Sequence, residues 1–184
     1  MKDRKAADRH PPPLLMNNPL RNVLERRDRF DSFIREGDTV ADVGCGSGYY
    51  TLRFADITGE SGQVYASDTN ASAVQTLSRK AAGRGNIHIS TAPSDSMTSI
   101  PDSSVDFLLS NLTLCCLTGH DASVAEMERV MKKGGTAYVS ITTFGRKSDP
   151  RRLSPQRFEE LMGRFDIIER KKGRTVYSML VRKR

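Results

Sequence analysis

The stretch that decides the fold of this chain is Val40-Ala41-Asp42-Val43-Gly44-Cys45-Gly46-Ser47-Gly48. Its apolar first half predicts a strand over Thr39–Val43, and three glycines at alternate positions predict a sharp turn directly after it. Glycine adopts backbone angles that other residues avoid, and it lets a ligand approach the main chain without Cβ contacts. A helix is predicted next, over Tyr49–Asp56, and its free N–H groups would face the same place. The stretch therefore predicts a strand, a turn and a helix that together bind a ligand.

The spacing of these glycines separates the turn from the common dinucleotide fingerprint. G-x-G-x-x-G sequences place a third glycine where the helix packs against a pyrophosphate, whereas Tyr50 and Thr51 occupy that region here. The acid Asp42 precedes the first glycine by two positions, and a carboxylate suits a cationic ligand better than a pyrophosphate. The sequence thus favours a cationic ligand, and a nicotinamide or flavin enzyme is a weaker alternative.

A second acid, Asp68, follows the predicted strand Gln63–Ser67. A carboxylate at the tip of the second strand can accept hydrogen bonds from both hydroxyls of a ribose. The alternative role for Asp68 is to cap the next helix, because Asp, Thr and Asn all suit that position. We assign the cap to Asn70 and the ribose contact to Asp68.

Short apolar runs alternate with amphipathic stretches along the rest of the chain. Such alternation predicts a parallel sheet covered by helices on both faces. The predicted fold class is α/β, a Rossmann-like, seven-stranded, mostly parallel sheet with a C-terminal antiparallel hairpin. The further strands predicted are Asn86–Ser90, Val105–Ser110, Gly135–Thr142, Phe165–Arg170 and Thr175–Val181, and the further helices are Ala71–Ala82, Asp121–Met131 and Pro155–Gly163.

The N-terminal residues have a different composition. Residues 1–13 are polar and end in Pro11-Pro12-Pro13, which is typical of a flexible arm. An apolar stripe over Pro19–Ile34 predicts a helix that Gly37 ends. We therefore divide the chain into residues 1–36, an arm and helix that could serve as a substrate lid, and residues 37–184, the ligand-binding domain.

The composition is that of one soluble globular domain, with 37% hydrophobic and 28% charged residues among 184. No apolar run reaches the roughly 20 residues that span a bilayer, and the charged N-terminus lacks the apolar core of a signal peptide. The cytoplasm is therefore the expected location, and no membrane partner is expected. Three cysteines, two of them adjacent, indicate reduced thiols rather than a disulfide framework.

The net charge of +7 is unevenly distributed. The segment from Arg146 to Arg184 carries 13 Lys and Arg against 5 Asp and Glu, a balance of +8 that leaves −1 for residues 1–145. A basic segment can bind nucleic acid, an acidic substrate or anionic lipid. We favour a solvated sheet edge, because Lys and Arg often block edge-to-edge aggregation and residues 170–174 are typical of a charged hairpin turn.

Four ordered motifs resemble class I S-adenosylmethionine (SAM)-dependent methyltransferases over about residues 37–142. Residues 40–48 are similar to motif I of that family. Pro101-Asp102-Ser103-Ser104-Val105-Asp106 resembles the segment before strand four, Ser110-Asn111-Leu112 its end, and residues 126–135 the helix and turn before strand five. The resemblance is greatest to the quinone-biosynthesis type and similar small-molecule methyltransferases.

The resemblance implies SAM as the cofactor and S-adenosylhomocysteine as its product. The residues implied to contact the cofactor run from its methionine end to its adenine: Asp42 and Asn111 at the methionine, the backbone of Gly44, Cys45, Gly46 and Gly48 along it, Asp68 at the ribose, and Thr69 with either Ser94 or Asp95 at the adenine.

No residue is assigned as a catalytic base. Similar methyltransferases often carry two histidines where this chain has Cys115 and Cys116, so a base cannot be carried over to that position. His10, His88 and His120 are interpreted as structural or exposed. We interpret the two cysteines as small buried hydrophobes, with thiol chemistry or soft-metal binding as the alternative. No cluster of Cys and His predicts a metal site.

The predicted function is methyl transfer to a small-molecule acceptor. Non-catalytic binding of SAM or S-adenosylhomocysteine stays open, as does methylation of RNA or protein through the basic C-terminal segment. The loop Asn111-Leu112-Thr113-Leu114 lacks the Asn-Pro-Pro-Tyr type of motif, which disfavours DNA adenine methylation. The acceptor could be covered by residues 10–29, by the loops Thr113–His120 and Thr143–Ser154, or by the partner in a homodimer.

Overall fold

A seven-stranded sheet forms the centre of the protein in the computed structural model, which describes residues 26–146 and 148–184. The strand order is β3-β2-β1-β4-β5-β7-β6; strands β1 to β5 are parallel, and β7 is antiparallel to both of its neighbours. The sheet confirms the predicted Rossmann-like α/β class and its antiparallel C-terminal hairpin. The strands are β1 (Thr39–Val43), β2 (Gln63–Ser67), β3 (Ile87–Ser90), β4 (Val105–Asn111), β5 (Met131–Thr142), β6 (Asp166–Lys172) and β7 (Val176–Arg182).

The order of the strands positions the predicted ligand site. The chain runs outward from β1 through β2 to β3 and then crosses back to β4, so the strand order reverses between β1 and β4. In open parallel sheets, ligands bind at the carboxyl ends of the strands beside this reversal. The register places Asp42 beside Ala66 of β2 and Leu109 of β4, which brings the ends of three strands to one edge.

Four α-helices accompany the sheet within the described part of the chain. They are α1 (Thr51–Thr58), α2 (Ala71–Lys80), α3 (His120–Val130) and α4 (Pro155–Met162). The Asn70 side chain accepts hydrogen bonds from the backbone N–H groups of Ser72 (3.1 Å) and Ala73 (3.2 Å), which confirms the predicted cap of α2.

Apolar residues on both faces of the strands explain why helices cover the sheet on both sides. Alternate residues of β4 point to opposite faces. Phe107 and Leu109 pack with Phe30 and with Phe54 of α1, whereas Leu108 belongs to the larger cluster that contains α3 and α4. Each face of β4 is therefore buried.

The N-terminal helix differs from the prediction in its described part. Residues 27–33 form a 3₁₀ helix, Arg27–Phe33, which is capped by Ile34. Its end agrees with the predicted end at Ile34 to within one residue, but its turns are tighter than those of an α-helix. Phe30 and Phe33 are three residues apart and share one side of this tighter helix, from which both rings contact Phe107. Residues 1–25 lie outside the described residues, so the arm and its role as a lid stay predictions.

The starts of two other elements are shifted by two residues or more. Helix α1 begins at Thr51 rather than Tyr49, because the glycine turn continues through Tyr50. Strand β5 begins at Met131 rather than Gly135, since Met131 already pairs with Val105 of β4. Across the described residues, no helix has the length and apolar character needed to cross a membrane.

Candidate cofactor site

The glycine turn is folded tightly against the carboxyl end of β2. The backbone N–H groups of Gly44 and Cys45 both donate to the carbonyl oxygen of Ser67, at 2.8 and 3.0 Å. Gly44 has a φ of +77°, and a Cβ there would collide with the Thr113 side chain, whose hydroxyl donates to the Val43 carbonyl oxygen (2.9 Å). The turn therefore needs glycine at this position for its backbone angle and for its packing.

Asp68 connects the glycine turn to the end of β2. Its Oδ2 accepts a hydrogen bond from the Gly46 N–H (2.8 Å), and its Oδ1 accepts one from the Asn70 N–H (2.8 Å). The residue is half-buried, and each carboxylate oxygen has further acceptor capacity. The carboxylate is thus fixed in orientation and can still accept hydrogen bonds from a diol.

Asp42 lies beneath the turn. Its side chain is 4% exposed and accepts a 2.6 Å hydrogen bond from the Thr51 hydroxyl at the first residue of α1. Cys45 is also buried, and burial, followed by the carboxylates of Asp42 and Asp68, raises the pKa of its thiol well above the ordinary value. The Cys45 side chain packs inward with Ala66 and Leu77, so its backbone is the part that lines the turn.

The two candidates for the adenine contact occupy different environments. The Ser94 hydroxyl is buried and lies 2.9 Å from the Ser123 hydroxyl of α3. Asp95 is exposed, and its carboxylate lies over Gly119. Of the pair, the Asp95 side chain is therefore the one accessible to a ligand. Thr69 is half-buried between Asp68 and the cap residue Asn70.

Asn111 ends β4 beside β5. Its Oδ1 accepts a hydrogen bond from the Ser140 hydroxyl (2.8 Å), and the backbone N–H of Leu112 also donates to that hydroxyl (3.0 Å). Leu112 has a φ of +60°, a left-handed conformation that is costly for a bulky residue. Ser140 thus holds Asn111 and the strained Leu112 together at the edge where Gly44 lies.

Several residues that shape this edge are not among the predicted site residues: Thr51, Lys80, Thr113 and Ser140. The Lys80 ammonium donates to the Ser47 carbonyl oxygen of the turn (3.1 Å). The sequence spacing of Thr113 and Ser140 does not indicate that they belong to the site, because each is brought there only by the pairing of separate strands. Thr51 lies nine residues after Asp42, near the start of the predicted helix. A hydroxyl at that place could have been predicted to donate to the buried acid.

The two adjacent cysteines follow β4 in a 3₁₀ turn, Leu114–Cys116. Both are half-buried rather than fully buried, and their sulfurs lie 3.3 and 3.6 Å from the carbonyl oxygen of Leu112. The Cys116 thiol lowers the pKa of Cys115 to about 6, with help from the backbone and hydroxyl of Thr142 and against the opposing effect of burial. Both thiols are therefore more exposed than that of Cys45, and the pKa of Cys115 is shifted in the opposite direction to that of Cys45.

The three histidines lie in different parts of the chain. His88 lies in β3 with an exposed side chain near Gln63, and His120 is the first residue of α3. Within the described residues, the buried Nε2 of His120 has no hydrogen-bond partner. His10 lies outside them. No group of three or more Cys, His, Asp or Glu side chains in residues 26–146 and 148–184 is arranged to hold a metal ion.

Some of the curated proteins with similar sequences are named as enzymes of quinone biosynthesis. The chain is 30% identical over 139 residues to the ubiquinone/menaquinone biosynthesis C-methyltransferase of Hahella chejuensis, covering 74% of this chain and 55% of that protein. It is 29% identical over 128 residues to the enzyme of the same name from Francisella tularensis, covering 68% and 51%. The chain thus spans about half the length of these relatives.

Solved structures show the same fold. A SAM-dependent methyltransferase from Aquifex aeolicus superposes with a TM-score of 0.77 at 22% identity, covering 92% of this chain and 95% of that one. A protein proposed to be an rRNA methylase, from Clostridium thermocellum, superposes with a TM-score of 0.70 at 19% identity, covering 88% and 97%.

The family comparison covers the glycine turn and the strands around it. The family model for the methyltransferase domain matches residues 41–139, more than half of the chain. This match confirms the resemblance predicted from the four motifs, and it supports SAM as the cofactor. The chain belongs to the methyltransferase domain family, among the class I SAM-dependent methyltransferases.

Proposed function

We propose that this protein transfers a methyl group from SAM to a small-molecule acceptor. The observation that carries the proposal is the hydrogen bond from the Gly46 N–H to the Asp68 carboxylate, which fixes an acidic side chain beside the glycine turn at the strand-order reversal. A glycine turn without side chains lets a ligand approach its backbone. The carboxylate beside it can accept hydrogen bonds from a ribose diol and attracts a positive charge.

The roles of individual residues follow from their environments. Asp68 would hold the ribose hydroxyls, and the buried Asp42 places negative charge beneath the turn, toward the methionine amino group. The backbone from Gly44 to Gly48 would lie along the cofactor. The exposed Asp95 and the half-buried Thr69 would contact the adenine, and Asn111, fixed by Ser140, would face the methionine end.

Bound SAM would supply a methyl group on a positively charged sulfur, which is already activated for transfer. The protein then mainly needs to align the acceptor and exclude water, and this suits a site to which no catalytic base is assigned. The names of the curated relatives support a small-molecule acceptor that is methylated at carbon.

Transfer to RNA is the second candidate, because basic residues concentrate in the last fifth of the chain. Five of these residues form ion pairs in the described part of the chain: Arg151 with Asp149, Arg157 with Asp121, Arg164 with Glu128, Lys171 with Glu169, and Arg184 with Asp166. Arg170, Lys171 and Lys172 lie on β6, the edge strand. This arrangement favours the solvated edge over an RNA surface.

The test is transfer of labelled methyl from SAM into a cell lysate that is afterwards separated into small molecules, RNA and protein. We expect label in the small-molecule fraction, and much less of it with the Asp68→Ala variant at a SAM concentration below the dissociation constant of that variant. Label in RNA, together with a gel shift that weakens steeply with salt, would favour the second candidate. SAM binding without label in any fraction would favour a non-catalytic binding protein.

A further inference from the structure

The adjacent thiols of Cys115 and Cys116 converge on one point at the carboxyl edge of the sheet. Both sulfurs lie within 3.6 Å of the Leu112 carbonyl oxygen, Cys115 at 3.3 Å and Cys116 at 3.6 Å. The two thiols are also hydrogen-bonded to each other, so the sulfurs lie side by side. Leu112, whose carbonyl oxygen both sulfurs contact, has a left-handed φ of +60°, and its N–H donates to the Ser140 hydroxyl.

The pair is accessible and chemically active. Both residues are half-buried, whereas Cys45 is buried. The Cys116 thiol and Thr142 stabilise the Cys115 thiolate and lower its pKa to about 6. Thiolates are soft ligands that prefer soft, polarisable centres. The pair therefore presents two partly exposed sulfurs, and the Cys115 thiol loses its proton more readily than an ordinary thiol.

The surroundings limit what such a pair can bind. In the described part of the chain, no third Cys, His, Asp or Glu joins the two thiols to complete a metal site. A tetrahedral ion such as zinc requires four ligands, and in proteins these are mostly Cys and His. Two sulfurs can instead bind a trivalent atom that exchanges two of its bonds for bonds to sulfur and keeps a third substituent.

We propose that Cys115 and Cys116 form a dithiol site for a soft trivalent metalloid that carries one organic substituent. With phenylarsine oxide as the ligand, each sulfur forms one bond to arsenic. The arsenic–oxygen double bond breaks, and its oxygen leaves as one water molecule. Its two protons come from both thiols when the pair is neutral, or from the remaining thiol and the solvent when Cys115 is a thiolate, and no atom is oxidised or reduced. The product is a cyclic dithioarsenite whose ring closes through the peptide bond between the two cysteines.

The site lies beside the proposed cofactor turn and not within it. Thr113 separates the two regions: its side chain packs against Gly44 and donates to the Val43 carbonyl oxygen, and the thiols follow directly in the chain. An occupant of the dithiol would therefore stand on the acceptor side, after β4, and would leave the Asp68 carboxylate accessible.

The test is titration of the reduced protein with phenylarsine oxide in the absence of SAM, followed by intact-mass measurement and peptide mapping. We expect one equivalent to bind and to be released by 2,3-dimercaptopropanol but not by an equal concentration of 2-mercaptoethanol thiol groups. Cys115→Ser and Cys116→Ser should each weaken binding by at least about 100-fold, because the second bond in the chelate forms intramolecularly.

Cys45→Ser is the matched control, since it removes a thiol of the same chain outside the pair, and it should leave the arsenical affinity unchanged. Unfolding curves of all the variants identify any that fail to fold, and Cys115→Ala and Cys116→Ala then replace the serine variants. Wild-type affinity in either single variant, an adduct that maps to Cys45, or no adduct at all would overturn the proposal. None of these outcomes depends on methyl transfer, so the proposed function is tested separately.

Discussion

Gly44 illustrates how a single residue combines backbone conformation with packing. Its φ is +77°, and an added Cβ would meet the Thr113 side chain. Gly83 has nearly the same φ, +84°, but an added Cβ would meet no atom within 4 Å. Comparing substitutions at the two glycines therefore distinguishes the free energy cost of a left-handed backbone from that of a steric clash.

We expect Gly83→Ala to lower the free energy of unfolding by about 1 kcal/mol, because a left-handed conformation is strained for alanine. Gly44→Ala should lower it by more and should also weaken SAM binding, since Thr113 and the turn must move apart. Urea unfolding and calorimetric titration with SAM measure the two effects. Equal destabilisation by both substitutions would show that the Thr113 contact does not constrain the turn.

Cys115 should be alkylated at a rate that follows its thiolate fraction. The Cys116 thiol and Thr142 lower its pKa to about 6 from an ordinary 9.0. The rate with iodoacetamide should therefore rise with pH, reach half its maximum near pH 6 and level off above it, while buried Cys45 stays unmodified. Cys116→Ala removes the main donor and should move the midpoint upward. A wild-type midpoint near 9.0 would contradict this account.

Among the elements, α4 and β7 are joined by a buried side chain. Tyr177 of β7 donates a 2.6 Å hydrogen bond to the Glu159 carboxylate of α4, and its ring packs edge-on against Phe158. Burial, followed by Glu159, raises the pKa of Tyr177 to about 12 from an ordinary 10.0. The folded state thus holds the phenolic proton more tightly than the unfolded chain does.

Tyr177→Phe should lower the free energy of unfolding by about 1 kcal/mol at pH 8, the usual net worth of one hydrogen bond. Because the pKa is higher in the folded state, the contribution of Tyr177 is complete below pH 10 and is lost as the pH rises toward 12. The difference between wild type and variant should therefore shrink over that interval in urea unfolding series. A difference that stays constant from pH 8 to pH 11 would contradict the assignment.

The elements also show what sequence can predict. Strands such as β2 and β4 were located to within a residue, because their apolar runs are bounded by polar or turn-forming residues. The glycine turn could be predicted because it is one contiguous motif, and Asp68 because it directly follows a predicted strand. Ser140 was not, since only the register that places Asn111 beside it brings the two together. The 3₁₀ geometry of Arg27–Phe33 was missed because its three-residue period resembles that of an α-helix.

At the scale of the whole molecule, the uneven charge is partly balanced by folding. The C-terminal segment carries an excess of basic residues, and Asp121 and Glu128 of α3 pair with Arg157 and Arg164 from that segment. Such surface pairs contribute little to stability, but they reduce the positive field that an RNA partner would need. The topology places the reversal between β1 and β4 at the centre of the sheet, far from the basic edge strand β6.

The central claim is that SAM binds where the Asp68 carboxylate meets the glycine turn, and calorimetric titration with SAM tests it most directly. The wild type should bind SAM, and Asp68→Ala should bind at least tenfold more weakly, a loss of about 1.4 kcal/mol. Asp166→Ala removes an exposed carboxylate on β6 and should leave the affinity unchanged. Unchanged affinity in a folded Asp68→Ala variant, or no SAM binding by the wild type, would contradict the account.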